Sequence, residues 1–221
     1  QRTQVCGSGK MDAILKNSWE FFSNGSYSIN SYAKAAIMLL TLESFLGEET
    51  MSKIMRSYFE RWKFRHPTSK DFIAVAEEVS HQDLDWFFNQ FLLSPDKLDY
   101  AIGEIKSLLL KEPEGKFNME KGGAQEDKGK GNEQNLKMFR NEVVVVRKGE
   151  LIFPQEILVE FEQGEKIHET WDGKERWKRF VYVRPYKLRS ARLDPENKIL
   201  LDVNFTNNSM LLKQNNMTPL K

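Results

Sequence analysis

Between residues 33 and 42 every position except Lys34 and Thr41 is apolar, the pattern of a helix buried on all sides rather than one lying on a surface. This helix lies in the stretch from Tyr27 to Leu46, with Tyr27 just before the helix and Tyr32 in its first turn. A leading stretch places Ile14, Trp19, Phe21 and Phe22 to cover its side. Gly47 stops it, and Glu48 and Glu49 open a second helix where the macrodipole favours negative charge. Met51, Ile54, Met55, Tyr58 and Trp62 give that helix one apolar face. His66-Pro67 breaks the pattern. Thr68 and Asp71 then form a capping-box start for a third helix with Phe72, Val75, Ala76 and Val79 inward. A fourth helix starts at Asp83 and carries Leu84, Phe87, Phe88 and Phe91.

After Ser94-Pro95-Asp96 the period changes from helical to alternating. A first strand is expected over residues 98–110, and short strands follow from Phe139 onward. Val143, Val144, Val145 and Val146 read as a strand covered on both faces. Ile157, Val159 and Phe161 alternate with Glu156, Glu160 and Glu162. Ile167 and Trp171 share the inner face of the next strand, which turns at Asp172-Gly173. The strand after it is expected to point Trp177, Val181 and Val183 inward. Two more are expected, at residues 188–193 and 199–203. Residues 111–137, rich in Gly, Lys and Glu, cannot repay the entropy of ordering and are expected to be a mobile hairpin loop. The expected fold is α+β: a helical unit over residues 1–96, then an immunoglobulin-like antiparallel β-sandwich over 97–206, and a flexible tail over 207–221.

Composition narrows the function classes. The 33 Lys and Arg against 32 Asp and Glu leave a net charge of +1, so no overall field points to nucleic acid or an anionic membrane. No apolar run approaches the roughly 20 residues of a membrane span. The single cysteine, Cys6, excludes an internal disulfide and leaves the compartment open.

Enzyme chemistry has little local support. The three histidines, His66, His81 and His168, have no metal-ligand spacing and no HExxH occurs, so no metal site is expected in this chain. There is neither a GxSxG elbow nor a glycine-rich phosphate loop. One strand does interleave basic and aromatic residues on its even positions: Arg176, Lys178, Phe180, Tyr182 and Arg184. Such a face suits a contact surface between domains or molecules better than nucleic acid, because Glu156, Glu160 and Glu162 on a nearby strand neutralise it.

The order of motifs from Tyr27 to Leu93 resembles the aminopeptidase N type of zinc metallopeptidase, a gluzincin family. The matching pieces are YxxxxYxKA from Tyr27, LExxLGEE from Leu42, RxYxxRWxF from Arg56, TxxDF from Thr68 and DLDWFFxQF from Asp83. The β region ending LDPxxxxLLD is similar to the domain that follows the catalytic helices in many bacterial members. The resemblance implies that Tyr32 is the tyrosine whose hydroxyl binds the oxyanion, and that Tyr27 is a second active-site tyrosine. It also implies that the HExxH segment and the further glutamates precede the tyrosine, where this chain has too few residues to hold them. The implied protein is a C-terminal portion of such an enzyme, inactive alone. It has no cofactor of its own, with zinc in the parent, and works with the parent's N-terminal zinc-binding part on a peptide substrate. Exported or membrane-associated location is implied only by the bacterial relatives. The alternative is a non-catalytic interaction module that binds through its basic aromatic strand.

Overall fold

Thr68 and Asp71 show how closely local sequence sets the helical half. The Thr68 side chain meets the backbone of the first turn while the Asp71 carboxylate accepts from Thr68 N at 2.7 Å, a reciprocal capping box. The backbone bond and the Thr68 hydroxyl together hold the Asp71 carboxyl below its usual pKa. Thr68→Ala is expected to lower the melting temperature by on the order of 3 °C without changing the helix content, readable by circular dichroism.

The computed structural model describes residues 12–110 and 137–212. Its helices are α1 (Asn24–Ser28), a π-helical segment (Ile29–Lys34), α2 (Ala35–Leu46), α3 (Glu48–Trp62), α4 (Ser69–Ser80) and α5 (Asp85–Leu93). Its strands are β1 (Tyr100–Leu109), β2 (Phe139–Arg147), β3 (Gln155–Phe161), β4 (Lys166–Trp171), β5 (Trp177–Arg184), β6 (Leu188–Leu193) and β7 (Ser209–Leu211). They form a three-stranded sheet in the order β1-β2-β5 and a four-stranded sheet in the order β4-β3-β6-β7, with every strand pair antiparallel. The α+β order of helices then sheets is as the sequence pattern predicts. β1 and β2 pair as a hairpin, Leu109 opposite Phe139. The loop expected between them lies, save for Lys137, outside the described residues, as does the tail beyond Leu212.

One hydrophobic cluster runs through both halves. Phe153, in the loop before β3, meets Phe45, Trp86, Phe87 and Phe91 at ring-centroid distances of 5.7 to 6.3 Å. Beside it Gln90 of α5 grips the backbone of Ile152 twice. Its Nε2 donates to Ile152 O at 3.2 Å and its Oε1 accepts from Ile152 N at 2.7 Å. The Arg147 guanidinium, buried under the sheet, donates to the carbonyls of Gly149, Glu150, Gly173 and Lys174, so a buried charge is fully spent on backbone. Gly173 sits at φ +73° where an added Cβ would fall 2.4 Å from the Tyr100 hydroxyl, which is why the Asp172-Gly173 turn needs glycine.

The structure corrects the sequence pattern in five places. The long helix is not buried on all sides: Tyr32, Leu40 and Ser44 form an exposed line along it, with Ala36 half-buried between them. The fourth helix begins at Asp85 rather than Asp83, because Glu77 takes the Leu84 N–H and the Asp83 carboxylate takes that of Asp85. Val143 and Val145 are fully buried but Val144 and Val146 only partly, so β2 is covered on one face. Residues 199–203 are not a strand. Ile199 and Leu201 fill the core from turns, and the seventh strand is Ser209–Leu211, with Met210 opposite Ala191 of β6.

The fifth correction is the face of β5. Phe180 stands opposite Val143 and Lys178 opposite Val145, and residues directly opposite in an antiparallel pair share a face. The even positions therefore face the core. Phe180 and Tyr182 are buried while Trp177, Val181 and Val183 are exposed.

Candidate functional site

Tyr27 and Tyr32 are brought together by an irregularity in the helix that carries them. In an α-helix, residues five apart point about 140° away from each other. In a π-helix the hydrogen bonds run from i to i+5, so such residues come onto the same side. The π-helical segment Ile29–Lys34 does this, and the two phenol rings meet edge to face with centroids 6.2 Å apart. Phe21 of the leading segment extends the row, 5.3 Å from Tyr27. Tyr32 is 66% exposed and Tyr27 36%. The neighbouring Tyr32 hydroxyl is the main cause that raises the Tyr27 pKa, so the Tyr27 hydroxyl stays protonated well past neutrality.

Behind the tyrosines runs a buried polar row that sequence reasoning missed. Ser26, Asn30 and Lys34 recur at intervals of four on the helix face opposite the solvent. Asn30 Nδ2 donates to Ser26 O at 2.9 Å and to Ser26 Oγ at 3.2 Å, while its Oδ1 has no partner in the described residues. The Ser26 hydroxyl donates to the Asp12 carboxylate, which also accepts from Phe22 N and from Lys16 Nζ. These bonds, the Lys16 one foremost, hold the Asp12 carboxyl down at about 2. Lys34 Nζ donates to Asp12 O at 3.4 Å and to Ser94 O at 3.3 Å, and burial pushes its ammonium down to about 8 against the pull of Asp96 and Asp12. The row thus straps the leading segment and the end of α5 to the π-helical segment. Its interval of four was masked in the sequence by the other polar residues of the same stretch, Asn24, Ser28 and Ser31.

The donors for a catalytic zinc are not assembled among the described residues. His66, His81 and His168 are all exposed and lie on separate elements. Glu77, Asp83 and Asp85 bring their oxygens within 4.8 Å of one another. They offer carboxylates alone, without the nitrogen or sulfur donors that zinc sites use, and two of them accept the backbone N–H bonds that start α5. No described helix is long and apolar enough to cross a membrane.

The residues of the basic aromatic strand are largely engaged within the chain. Arg176 pairs with Glu150, Arg184 with Glu165, and Lys178 Nζ donates to Thr170 O at 3.3 Å. The Tyr182 hydroxyl donates to Glu169 at 3.2 Å and Phe180 is in the core, while Lys178 and Arg184 are half-buried and Arg176 is exposed. The misleading signal was that both faces of β5 carry large apolar side chains.

Residues 20–91 match the family model of the peptidase family M1 domain, a family of zinc-dependent enzymes. The chain is also similar to aminopeptidase N of Escherichia coli (strain K12), with 36% identity over 64 residues, 29% of this chain and 7% of that protein. Among solved structures, Legionella pneumophila aminopeptidase A in complex with aspartic acid aligns at 14% identity and a TM-score of 0.47. That alignment covers 80% of this chain and 18% of the other. The chain thus matches only a small part of the length of these relatives. The tyrosine pair, the polar row behind it and helices α1 to α5 lie within or beside residues 20–91, the stretch that is similar to a peptidase family M1 domain.

Proposed function

We propose that this chain supplies the oxyanion-stabilising tyrosine of a zinc-dependent aminopeptidase whose metal-bearing segment is a separate stretch of polypeptide, and that it is inactive by itself. The observation that carries the proposal is the placing of Tyr32. It stands in the matched motif and on a π-helical segment, with its hydroxyl side open to solvent and its backbone strapped from behind. A phenol stays protonated up to a pKa of about 10, so at neutral pH it donates a hydrogen bond. Aimed at the carbonyl oxygen of a peptide substrate, it strengthens as that oxygen becomes negative and needs no reorganisation to do so. Tyr27 braces the Tyr32 ring from its edge.

The exposed Tyr32 and Leu40, with half-buried Ala36 between them, and the exposed Trp19 and Phe22 support the second half of the proposal, because exposed large apolar side chains in number mark contact surfaces. This is the surface against which a zinc-binding segment would close. The zinc ligands and general base belong to that segment, since no donor set among the described residues fits them.

The test is zinc content and hydrolysis of an aminoacyl chromogenic substrate, measured on the chain alone and on the chain joined to or mixed with an HExxH-bearing segment encoded upstream. The expected result is turnover only in the second case. Stoichiometric zinc and turnover in the chain alone would overturn the proposal. The second reading, an interaction module using Arg176, Lys178, Phe180, Tyr182 and Arg184, rests on exposed Arg176 and half-buried Lys178 and Arg184, since Phe180 and Tyr182 are buried.

A further inference from the structure

The two sheets of the sandwich meet differently on their two sides, β1 lying against β6 on one of them. There β1 bulges between Ile102 and Glu104, and Ser107 Oγ accepts from Leu188 N of β6 at 3.0 Å. On the other side β5 ends one sheet and β4 ends the other. Side chains alone bridge these two strands, through the bonds of Lys178 to Thr170 O, Tyr182 to Glu169, and Arg184 to Glu165.

The backbone of β5 divides by parity. Arg147 N donates to Arg176 O at 2.8 Å, and the register continues in steps of two without a shift. Lys178, Phe180, Tyr182 and Arg184 therefore spend their backbone groups on β2, while Trp177, Arg179, Val181 and Val183 turn theirs to the free edge. Among the described residues the one bond to these outward groups is from Arg184 Nη1 to Val183 O. The side chains of Trp177, Val181 and Val183 are 56%, 46% and 47% exposed. Edges in soluble proteins are usually blunted by proline, a bulge, short length or charged side chains, and Arg179 is the one charge among the four outward residues of β5. β5 is 8 residues long, contains no proline or glycine and has no bulge.

We propose that β5 is a self-association edge, at which two copies of this chain pair antiparallel about a two-fold axis at Phe180. The two three-stranded sheets then become one continuous sheet. The strand is its own complement in this register. Trp177 lies opposite Val183 of the second copy and Arg179 opposite Val181 of the second copy, so all four outward residues are matched with outward residues. A shift of one pair in one direction sets Arg179 against Arg179. A shift in the other sets Trp177 against Pro185, which has no N–H to give. Arg179 also brings its own compensation, with Glu142 at 3.8 Å and the Trp177 ring beneath its guanidinium. Such an interface is isologous and closes at two copies.

Sedimentation of the full chain over a wide concentration range tests this, with a species of twice the 25.9 kDa chain mass expected to grow with concentration. Val181→Pro removes an N–H that points away from β2, so the fold keeps its ladder while the dimer loses that bond twice. Association is expected to weaken by about tenfold or more. Val181→Lys, which sets a lysine against the arginine of the second copy, serves if the proline variant does not fold. In the wild-type chain the amides of Trp177, Arg179, Val181 and Val183 are expected to gain protection from hydrogen exchange as concentration rises. A chain that stays monomeric, or variants that dimerise as well as the wild type, would overturn the proposal. So would protection of these amides at every concentration, which would mean that a segment of the same chain holds the edge.

Discussion

Replacing Tyr32 with phenylalanine in the assembled aminopeptidase is expected to lower kcat by on the order of 100-fold or more while KM changes little. The asymmetry follows from when the hydrogen bond matters. The neutral carbonyl of a bound substrate is a modest acceptor, whereas the oxygen of the tetrahedral intermediate carries a full charge, so a preorganised phenol contributes mainly to the transition state. The substitution removes one oxygen from a side chain that is 66% exposed, so the fold has no reason to change. The edge-to-face contact with Tyr27 survives in the phenylalanine. Tyr27→Phe is the informative companion. It deletes the hydroxyl beside that of Tyr32 and is expected to cost less, because it acts on the surroundings of Tyr32 rather than on the reacting oxygen. Steady-state kinetics of the two variants, with zinc content measured alongside, decide the matter. If Tyr32→Phe retains wild-type kcat, Tyr32 is only a surface residue of the helix and the proposed function fails.

How far the sequence foretold this site can be argued residue by residue. The helices were legible because Phe87, Phe88 and Phe91 or Val75 and Ala76 repeat with the helical period and have one polar alternative face. The strand β3 was legible because Ile157, Val159 and Phe161 alternate strictly with glutamates. The face of β5 was not, since Phe180 and Tyr182 compete with Trp177, Val181 and Val183, and only the pairing with Val143 and Val145 decides between them. Nor was β7, whose 3 residues are too few to show a period. At the site, the two tyrosines were found through the family motif, and their interval of five also agrees with a π-helical turn. The strap of Asp12, Ser26, Asn30 and Lys34 was out of reach, because it joins residues up to 22 positions apart and depends on how the leading segment folds back.

That strap leads to the second large effect, a pH dependence of stability assigned to Lys34. Its side chain is 1% exposed, and burial brings its ammonium from an ordinary 10.5 to about 8. The drop corresponds to on the order of 3 kcal/mol. Below pH 8 the folded and unfolded chains both carry the proton, and the fold bears the whole cost of a buried charge. Between 8 and 10.5 the unfolded chain keeps the proton that the folded chain has released, so stability rises with pH. Above 10.5 both are neutral and the cost has gone. Lys34→Met, which keeps the length and apolar stem, is therefore expected to be more stable than the wild type below pH 8, by somewhat less than that cost. The shortfall is the loss of two long hydrogen bonds, to Asp12 O at 3.4 Å and Ser94 O at 3.3 Å. The gap between variant and wild type is expected to close as pH climbs to 10.5. Urea unfolding of both proteins across this range reads the difference and cancels every other group that titrates there. A gap that does not vary with pH would mean that Lys34 is not depressed. A lysine that costs stability yet ties the leading segment and the end of α5 to the turn bearing Tyr32 is understandable as a device of position: methionine would hold the core better, but it would leave the two carbonyls, and the segments that carry them, without a common donor.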